Sequence, residues 1–383
     1  MSLKHSARLS VFAILVLSFF LSQDVFAETQ PVSTFKVDEK DKTHWFDIKN
    51  LGVEGKGWTD TETFFDRLPK KAKGVVRPPV WSLSKHSAGL AVRFVTDATT
   101  IKAKWELTSA NIAMNHMAAT GVSGLDLYVK TDSDKWRWLA VGRPSKKENS
   151  VTLISGLMPG KREYFLYLPL YNGVKSVEIG IPESSHLWKA PARQPGKNKP
   201  LVFWGTSITQ GGCASRTGMV HTAILGRRLN RPVINLGFSG NGRMEPEVAK
   251  LIAELDASVF IIDCLPNVTA PVVAKETESI VNTLRKAHPD TPILLVEDRT
   301  YSNAYLKKSS QERHRTSRQA LQEAYQKLKK AGVKHLYYLD GESLLGNDSE
   351  DTVDGSHPTD LGFFRQANAF EKVLKPILDQ QSQ

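Results

Sequence analysis

The chain has 383 residues, 40% of them hydrophobic and 24% charged, with a formal net charge of +11. That length exceeds one average domain of ~100–200 residues, and the composition excludes a wholly disordered chain and a wholly membrane-embedded one. With Cys213 and Cys264 as the only cysteines, a disulfide framework and a cysteine-based zinc site are excluded as well.

In chain order, the first element is a leader. Lys4 and Arg8 precede the run VFAILVLSFFLS at 11–22, and Val25-Phe26-Ala27 offers acceptable residues at a cleavage site. The run is shorter than the ~20 residues a bilayer span needs. Residues 1–27 therefore predict a secretory signal peptide cleaved after Ala27, an exported mature chain and no membrane span in it. Export argues against a nucleic-acid partner. A basic surface can instead concentrate acidic polysaccharide or sit against an anionic envelope, and it can equally serve solubility alone. An exported chain also permits one bridge between Cys213 and Cys264, the alternative being two buried thiols.

Residues 35–188 read as short strands separated by turns: GLAVRFVTD, TIKAKWEL, GLDLYVKT, KWRWLAVG, REYFLYLPLY and KSVEIGI. Ile101, Ala103, Trp105 and Leu107 alternate with polar residues, the period of a strand with one buried face. Gly, Asp, Ser, Asn and Pro clusters divide the segments, so this part predicts an antiparallel β-sandwich of jelly-roll type. The stretch KAPARQPGKNKP at 189–200 has no apolar period and reads as a linker.

Over 201–383, strand and helix alternate. LVFWG, VINLGF, VFIID, ILLVE and HLYYLD are each followed by a helical pattern, near 217–230, 246–255, 271–288, 309–331 and 359–379. Apolar strands alternating with helices predict a parallel sheet covered on both faces, an α/β arrangement of three αβα layers. Ligands of such sheets gather at the carboxyl ends of the strands.

Chemistry-bearing residues fall at those ends. A serine hydroxyl attacks an ester at neutral pH only with a neighbouring base, an orienting acid and a cradle for the oxyanion. Ser207 follows the first strand. His357 lies in DTVDGSHPTDLGF before the last helix, three residues from Asp354, so one turn carries a base and its orienting carboxylate; the plainer reading is a turn-capping acid and a surface histidine. Gly240 in NLGFSGNG and Asn267 in IIDCLPNVT supply candidate oxyanion donors, beside the amide of Ser207 itself. Neither a metal nor an organic cofactor is required. Rival motifs are missing: GFSGN at 237–241 is no nucleophile elbow, and P-loop and HExxH sequences are absent.

These residues resemble the SGNH hydrolases, also called GDSL-type esterases and lipases. GTS at 205–207, the Gly block at 237–240, Asn267 and DGSH at 354–357 match the family's four blocks in order. Thr206 stands where the family usually has an acid, and Pro266 precedes Asn267 where a Gly-x-Asn pattern is usual. GVSGLDLYV at 121–129 is similar to the Gly-x-Asp-Leu-Tyr motif of the β-sandwich module in one bacterial branch. The resemblance implies nucleophile Ser207, base His357, acid Asp354, and an oxyanion hole of Ser207, Gly240 and Asn267.

Three further residues are candidate substrate contacts. Glu297 and Arg299 end the fourth strand, where Arg299 would hold an anionic or hydroxylated group unless it pairs with a neighbouring acid, and His116 reaches the cleft if the two parts pack closely. The expected substrate is a small acyl ester on a carbohydrate. The alternatives are a lipid or lysophospholipid ester, and a non-catalytic glycan-binding protein.

Overall fold

A computed structural model describes residues 30–380, so the expected leader at 1–27 lies outside the described residues. Two antiparallel sheets come first. One runs β1 (Lys36–Asp38), β2 (Thr43–Asp47), β10 (Val174–Pro182), β5 (Ile101–Leu107), β8 (Glu148–Ile154). The other runs β11 (Leu187–Lys189), β4 (Ala91–Thr96), β9 (Arg162–Tyr167), β6 (Leu125–Lys130), β7 (Trp136–Gly142), with β3 (Val53–Glu54) pairing on β4. Their facing side chains, among them Ile101, Ala103, Trp105, Leu125, Leu127, Tyr164 and Leu166, form one core.

Strand alternation sets what the second sheet does with its other face. In β6, Leu125 and Leu127 enter the sandwich core while Asp126 and Tyr128 point the opposite way; in β9, Tyr164 and Leu166 point in while Phe165 and Tyr167 point out. That outer face is not left to solvent. Tyr128, Phe165, Tyr167 and Leu170 share an apolar cluster with Ile208, Ala214, Val220, Ala223 and Phe363 of the second half.

The second half is a parallel sheet ordered β13 (Val233–Gly237), β12 (Leu201–Gly205), β14 (Val259–Asp263), β15 (Ile293–Val296), β16 (Leu336–Leu339). Val202, Trp204, Phe260, Ile262, Ile293 and Leu295 face the helices Ala270–Ala287 and Lys308–Lys330. Their neighbours Leu201, Phe203, Val259, Ile261, Leu294 and Val296 face His221–Leu229 and Asp360–Gln380. Every strand is therefore apolar on both sides, which is why these runs read as continuous rather than alternating. The fold is a three-layer αβα sandwich preceded by an antiparallel β-sandwich.

One part of 35–188 packs elsewhere than on the sandwich. Between β3 and β4 the chain makes a short 3-10 turn and the helix Pro78–Leu83, and its Trp58, Leu68, Ala72, Val76 and Val80 complete the parallel sheet's core beside Leu236 and Phe238. The stretch 189–200 crosses both parts and is held to each: Arg193 donates to Glu54 (Nη2 to Oε2, 2.7 Å) and Arg231 to the Gly196 carbonyl (2.6 Å). Cys213 and Cys264 are buried, free thiols. Among the described residues no helix is long and apolar enough to cross a membrane.

Candidate active site

Register puts three loops around one point. Gly205, the last residue of β12, is paired with Gly237 of β13 on one side and Asp263 of β14 on the other. Ser207, Gly240 and Asn267 thus leave adjacent strands at one end of the sheet.

Ser207 opens a one-turn helix, Ser207–Gln210, capped by Thr206, whose Oγ1 accepts from the Ile208 amide at 3.3 Å. Thr206 is fully buried, so the cap oxygen beside Ser207 carries no charge. The helix lies tight against β13, since a Cβ on Gly237 would come within 2.1 Å of the Gln210 nitrogen. A larger residue there would push Ser207 out of line.

His357 must return from the far edge of the sheet, because β16 lies three strands from β12. The helix Asp360–Gln380 crosses back over the sheet, and Phe363, Phe370 and Leu374 seat it. The turn before it is closed by Val353 donating to the His357 carbonyl at 2.8 Å. Ser207 Oγ lies 2.7 Å from His357 Nε2, and His357 Nδ1 lies 2.7 Å from Asp354 Oδ2. Asp354 also fills the plainer role: its Oδ1 accepts from the amides of Ser356 (3.0 Å) and His357 (2.8 Å). Partial burial opposes its charge, but these hydrogen bonds outweigh that and hold its carboxyl below the ordinary carboxylate range.

Gly240 has φ +66° and open space on its Cβ side, a left-handed position that favours glycine and leaves the backbone approachable. Asn267 ends the 3-10 turn Leu265–Asn267. Its Nδ2 is buried without an acceptor, and among the described residues the Gly240 N–H has none either. Arg313 holds the Asn267 turn from behind, donating to the carbonyls of Leu265 (3.1 Å), Pro266 (2.8 Å) and Val268 (3.3 Å).

The other candidates lie away from this group. Arg299 is completely buried; it donates through both terminal nitrogens to Asp263 (Nη2 to Oδ2, 2.7 Å) and to Gln366 Oε1 at 2.8 Å. Its partner is the end of the neighbouring strand, not Glu297 or Asp298, and a guanidinium so enclosed reaches no substrate. Glu297 is also internal, accepting from Tyr338 Oη at 2.5 Å and from the Gly341 amide at 2.8 Å. His116 is exposed, with Nδ1 2.7 Å from Asn115 Oδ1, and makes no contact with the Ser207 group.

The first half contributes residues that single-sequence reading misses. Tyr171 Oη donates to the Ser207 carbonyl at 3.1 Å. Gln210 Nε2 lies 3.0 Å from both His86 Nδ1 and the Leu170 carbonyl, while its Oε1 accepts from the Ser239 amide at 3.0 Å, next to Gly240. Arg67, buried and with no carboxylate partner among the described residues, donates to the carbonyls of Leu83, His86, Asn235 and Gly237. Nothing local marks these residues; their partners lie up to 170 positions away. The Gly-x-Asp-Leu-Tyr motif acts in the same way. Asp126 accepts from Trp138 Nε1 (2.8 Å), Arg216 Nη1 (2.7 Å) and the Gly218 amide (2.8 Å), and Tyr128 Oη accepts from Arg216 at 2.6 Å. The motif therefore fastens the chain that follows the Ser207 helix.

Residues 198–375 match the model of the GDSL-like Lipase/Acylhydrolase family, and residues 43–187 match that of the GxDLY N-terminus of SGNH-hydrolase-type esterases. No curated protein matches the sequence. Among solved structures, a Bacteroides ovatus protein assigned as a GDSL-like lipase is 36% identical, with 88% of this chain and 98% of that one covered and a TM-score of 0.82. The salicylyl-acyltransferase SsfX3 from a tetracycline biosynthetic pathway shares the fold at 17% identity, covering 85% of this chain and 94% of its own, with a TM-score of 0.65. So does a family two carbohydrate esterase from Clostridium thermocellum in complex with cellohexaose, at 15% identity, 76% and 95% coverage and a TM-score of 0.56. The chain belongs to the GDSL-like lipase/acylhydrolase family, in the form that carries the GxDLY N-terminus of SGNH-type esterases, and is an ester-hydrolysing enzyme.

Proposed function

We propose that the protein is an exported serine esterase that removes small acyl groups, acetyl foremost, from carbohydrate through an acyl-Ser207 intermediate. The reading rests above all on the unbroken hydrogen-bonded series from Ser207 Oγ through the His357 ring to Asp354.

Ser207 Oγ attacks the ester carbonyl carbon as its proton passes to His357 Nε2. Asp354, kept ionised, holds Nδ1–H and stabilises the imidazolium. The negative charge on the carbonyl oxygen is taken by the Ser207 and Gly240 amides and by Asn267 Nδ2, donors with no acceptor to give up among the described residues. When the C–O bond to the alcohol breaks, the leaving oxygen takes the proton from Nε2. A water then loses a proton to Nε2, attacks the acyl carbon, and the acid leaves as Ser207 recovers its hydrogen.

Carbohydrate as the alcohol component is supported by the shared fold with a carbohydrate esterase in complex with cellohexaose. Export is supported by the leader-like composition of residues 1–27. The test is turnover of p-nitrophenyl acetate by wild type and Ser207→Ala, followed by esters from acetyl to octanoyl and acetate release from acetylated polysaccharides. Rates that fall with acyl length and vanish in Ser207→Ala support the proposal. Equal slow rates in both proteins would return the chain to a binding role, and a preference for octanoyl would favour a lipid ester.

A further inference from the structure

A cavity lined by none of the Ser207 group opens at the seam between the two halves. It encloses about 430 Å³, with the rings of Tyr128, Trp136 and Phe364 and the cations Arg216, Arg228 and Lys135 on its walls. Two segments leaving the candidate active site contribute to it, beside Tyr128 and the turn at 134–136 of the first half and the helix His221–Leu229. The stretch after the Ser207 helix supplies Arg216, and the helix after His357 supplies Phe364; Ser215 joins them, its amide donating to Asp360 Oδ1 at 2.9 Å.

The walls are lopsided in charge. Arg227 also lines the cavity, stacked 3.9 Å from the Tyr128 ring centroid, and the single lining carboxylate, Asp134, is already engaged by Lys130 at 2.6 Å. Among the described residues Arg216 hydrogen-bonds through Nη1 alone, to Asp126 and Tyr128, and Arg228 through Nη1 alone, to Asn368 (2.8 Å) and Glu371 (2.9 Å), so each has one carboxylate partner behind the wall. Each guanidinium keeps its Nε and Nη2 donors for a planar anion, the bidentate geometry for which arginine is suited. Phe364 is 47% exposed, with the Arg228 guanidinium carbon 4.6 Å from its ring centroid on one face, so the ring's other face is the one open to a ligand. Flat apolar faces next to guanidinium forks suit a sugar ring that carries an acid group.

We propose that this cavity binds an anionic saccharide, its carboxylate or sulfate held by Arg216 and Arg228 and a pyranose face laid on Phe364 and Trp136. The proposal deepens the esterase reading and rests on it for the choice of a saccharide: the acylated polymer would be an acidic one, anchored on segments that lead away from the Ser207 group.

The test is calorimetric titration of the full chain with an oligogalacturonide, a sulfated oligosaccharide and a neutral cello-oligosaccharide of equal length. Wild type, Arg228→Ala and Phe364→Ala are compared, with p-nitrophenyl acetate hydrolysis measured on each. At least one anionic ligand should bind ten-fold or more tightly than the neutral one, and each variant should weaken it ten-fold while leaving p-nitrophenyl acetate turnover intact. Carboxylate alone, sulfate alone or both binding would each support the site and identify the acid group. Equal binding of neutral and anionic ligands, or binding indifferent to both substitutions, overturns it. Anionic binding in a protein with no Ser207-dependent turnover would uphold the cavity and refute the hydrolase.

Discussion

Asn267→Ala separates a catalytic amide from a structural one, because the two roles move stability in opposite directions. Nδ2 is buried without an acceptor. A buried donor left unpaired costs about 1–3 kcal/mol of folding free energy. Deleting it should relieve that cost, less the small packing of a half-buried residue at the end of its turn. Thermal unfolding should therefore stay level or rise by a few degrees, since about 1 kcal/mol shifts the midpoint by roughly 2–4 °C in a unit of this size. Activity should go the other way: loss of one oxyanion donor lowers kcat by about 10²–10³-fold, or roughly 3–4 kcal/mol. Initial rates on p-nitrophenyl acetate and scanning calorimetry of the same preparations provide the assay. A kcat within three-fold of wild type, or a lost kcat accompanied by a midpoint many degrees lower, would refute the reasoning.

Three more outcomes follow from the described contacts. Gln210→Leu strips acceptors and donors from Ser239, His86 and Leu170; kcat on p-nitrophenyl acetate should fall at least ten-fold with KM little changed, and an unaltered kcat would show that the first half does not set the Gly240 loop. Burial pushes Asp298 up to about 6, against the opposing pull of Arg313, Arg299 and Arg318. A carboxyl whose folded pKa lies above its unfolded value favours folding fully below pH 4 and loses that contribution as pH rises through 6. Asp298→Asn should thus gain on wild type by an amount of order 3 kcal/mol between pH 4 and pH 7.5 in urea titrations; an equal difference at both pH values would contradict it. Cys213 is pushed up to about 11 by burial and by the nearby Asp354 charge, and burial raises Cys264 well above the usual thiol range. Iodoacetamide at pH 8 should leave the native protein unlabelled and modify both thiols in urea without reductant, whereas a requirement for reductant would reveal a bridge.

The sequence is most legible where neighbours in space are neighbours in the chain. β4, β5, β6, β7, β9 and β10 coincide with segments whose turns bracket them, and all five parallel strands stand out as apolar runs before a helix. Asp354 and His357 can be paired on paper because a single turn carries both. Arg299 is harder. Its partner Asp263 ends a strand 36 positions earlier, and only the strand order, with β15 beside β14, brings them together. The same limit hides Arg67, Gln210 and Tyr171, whose side chains act across the seam. Residues 58–80 lack a clear period because they do not form a sheet or a long helix; they fill gaps in a core made by other elements.

That last segment also bears on how the chain must come together. A ribosome delivers Trp58, Leu68, Val76 and Val80 long before it delivers β12, β13 and β14, which they cover. Until then these apolar groups have no docking surface, while the strands on either side can already pair. Cotranslational maturation of the amino-terminal half therefore leaves this segment undocked until the parallel sheet has formed, and excising the carboxy-terminal half at 189–200 would expose the segment by removing the core it completes.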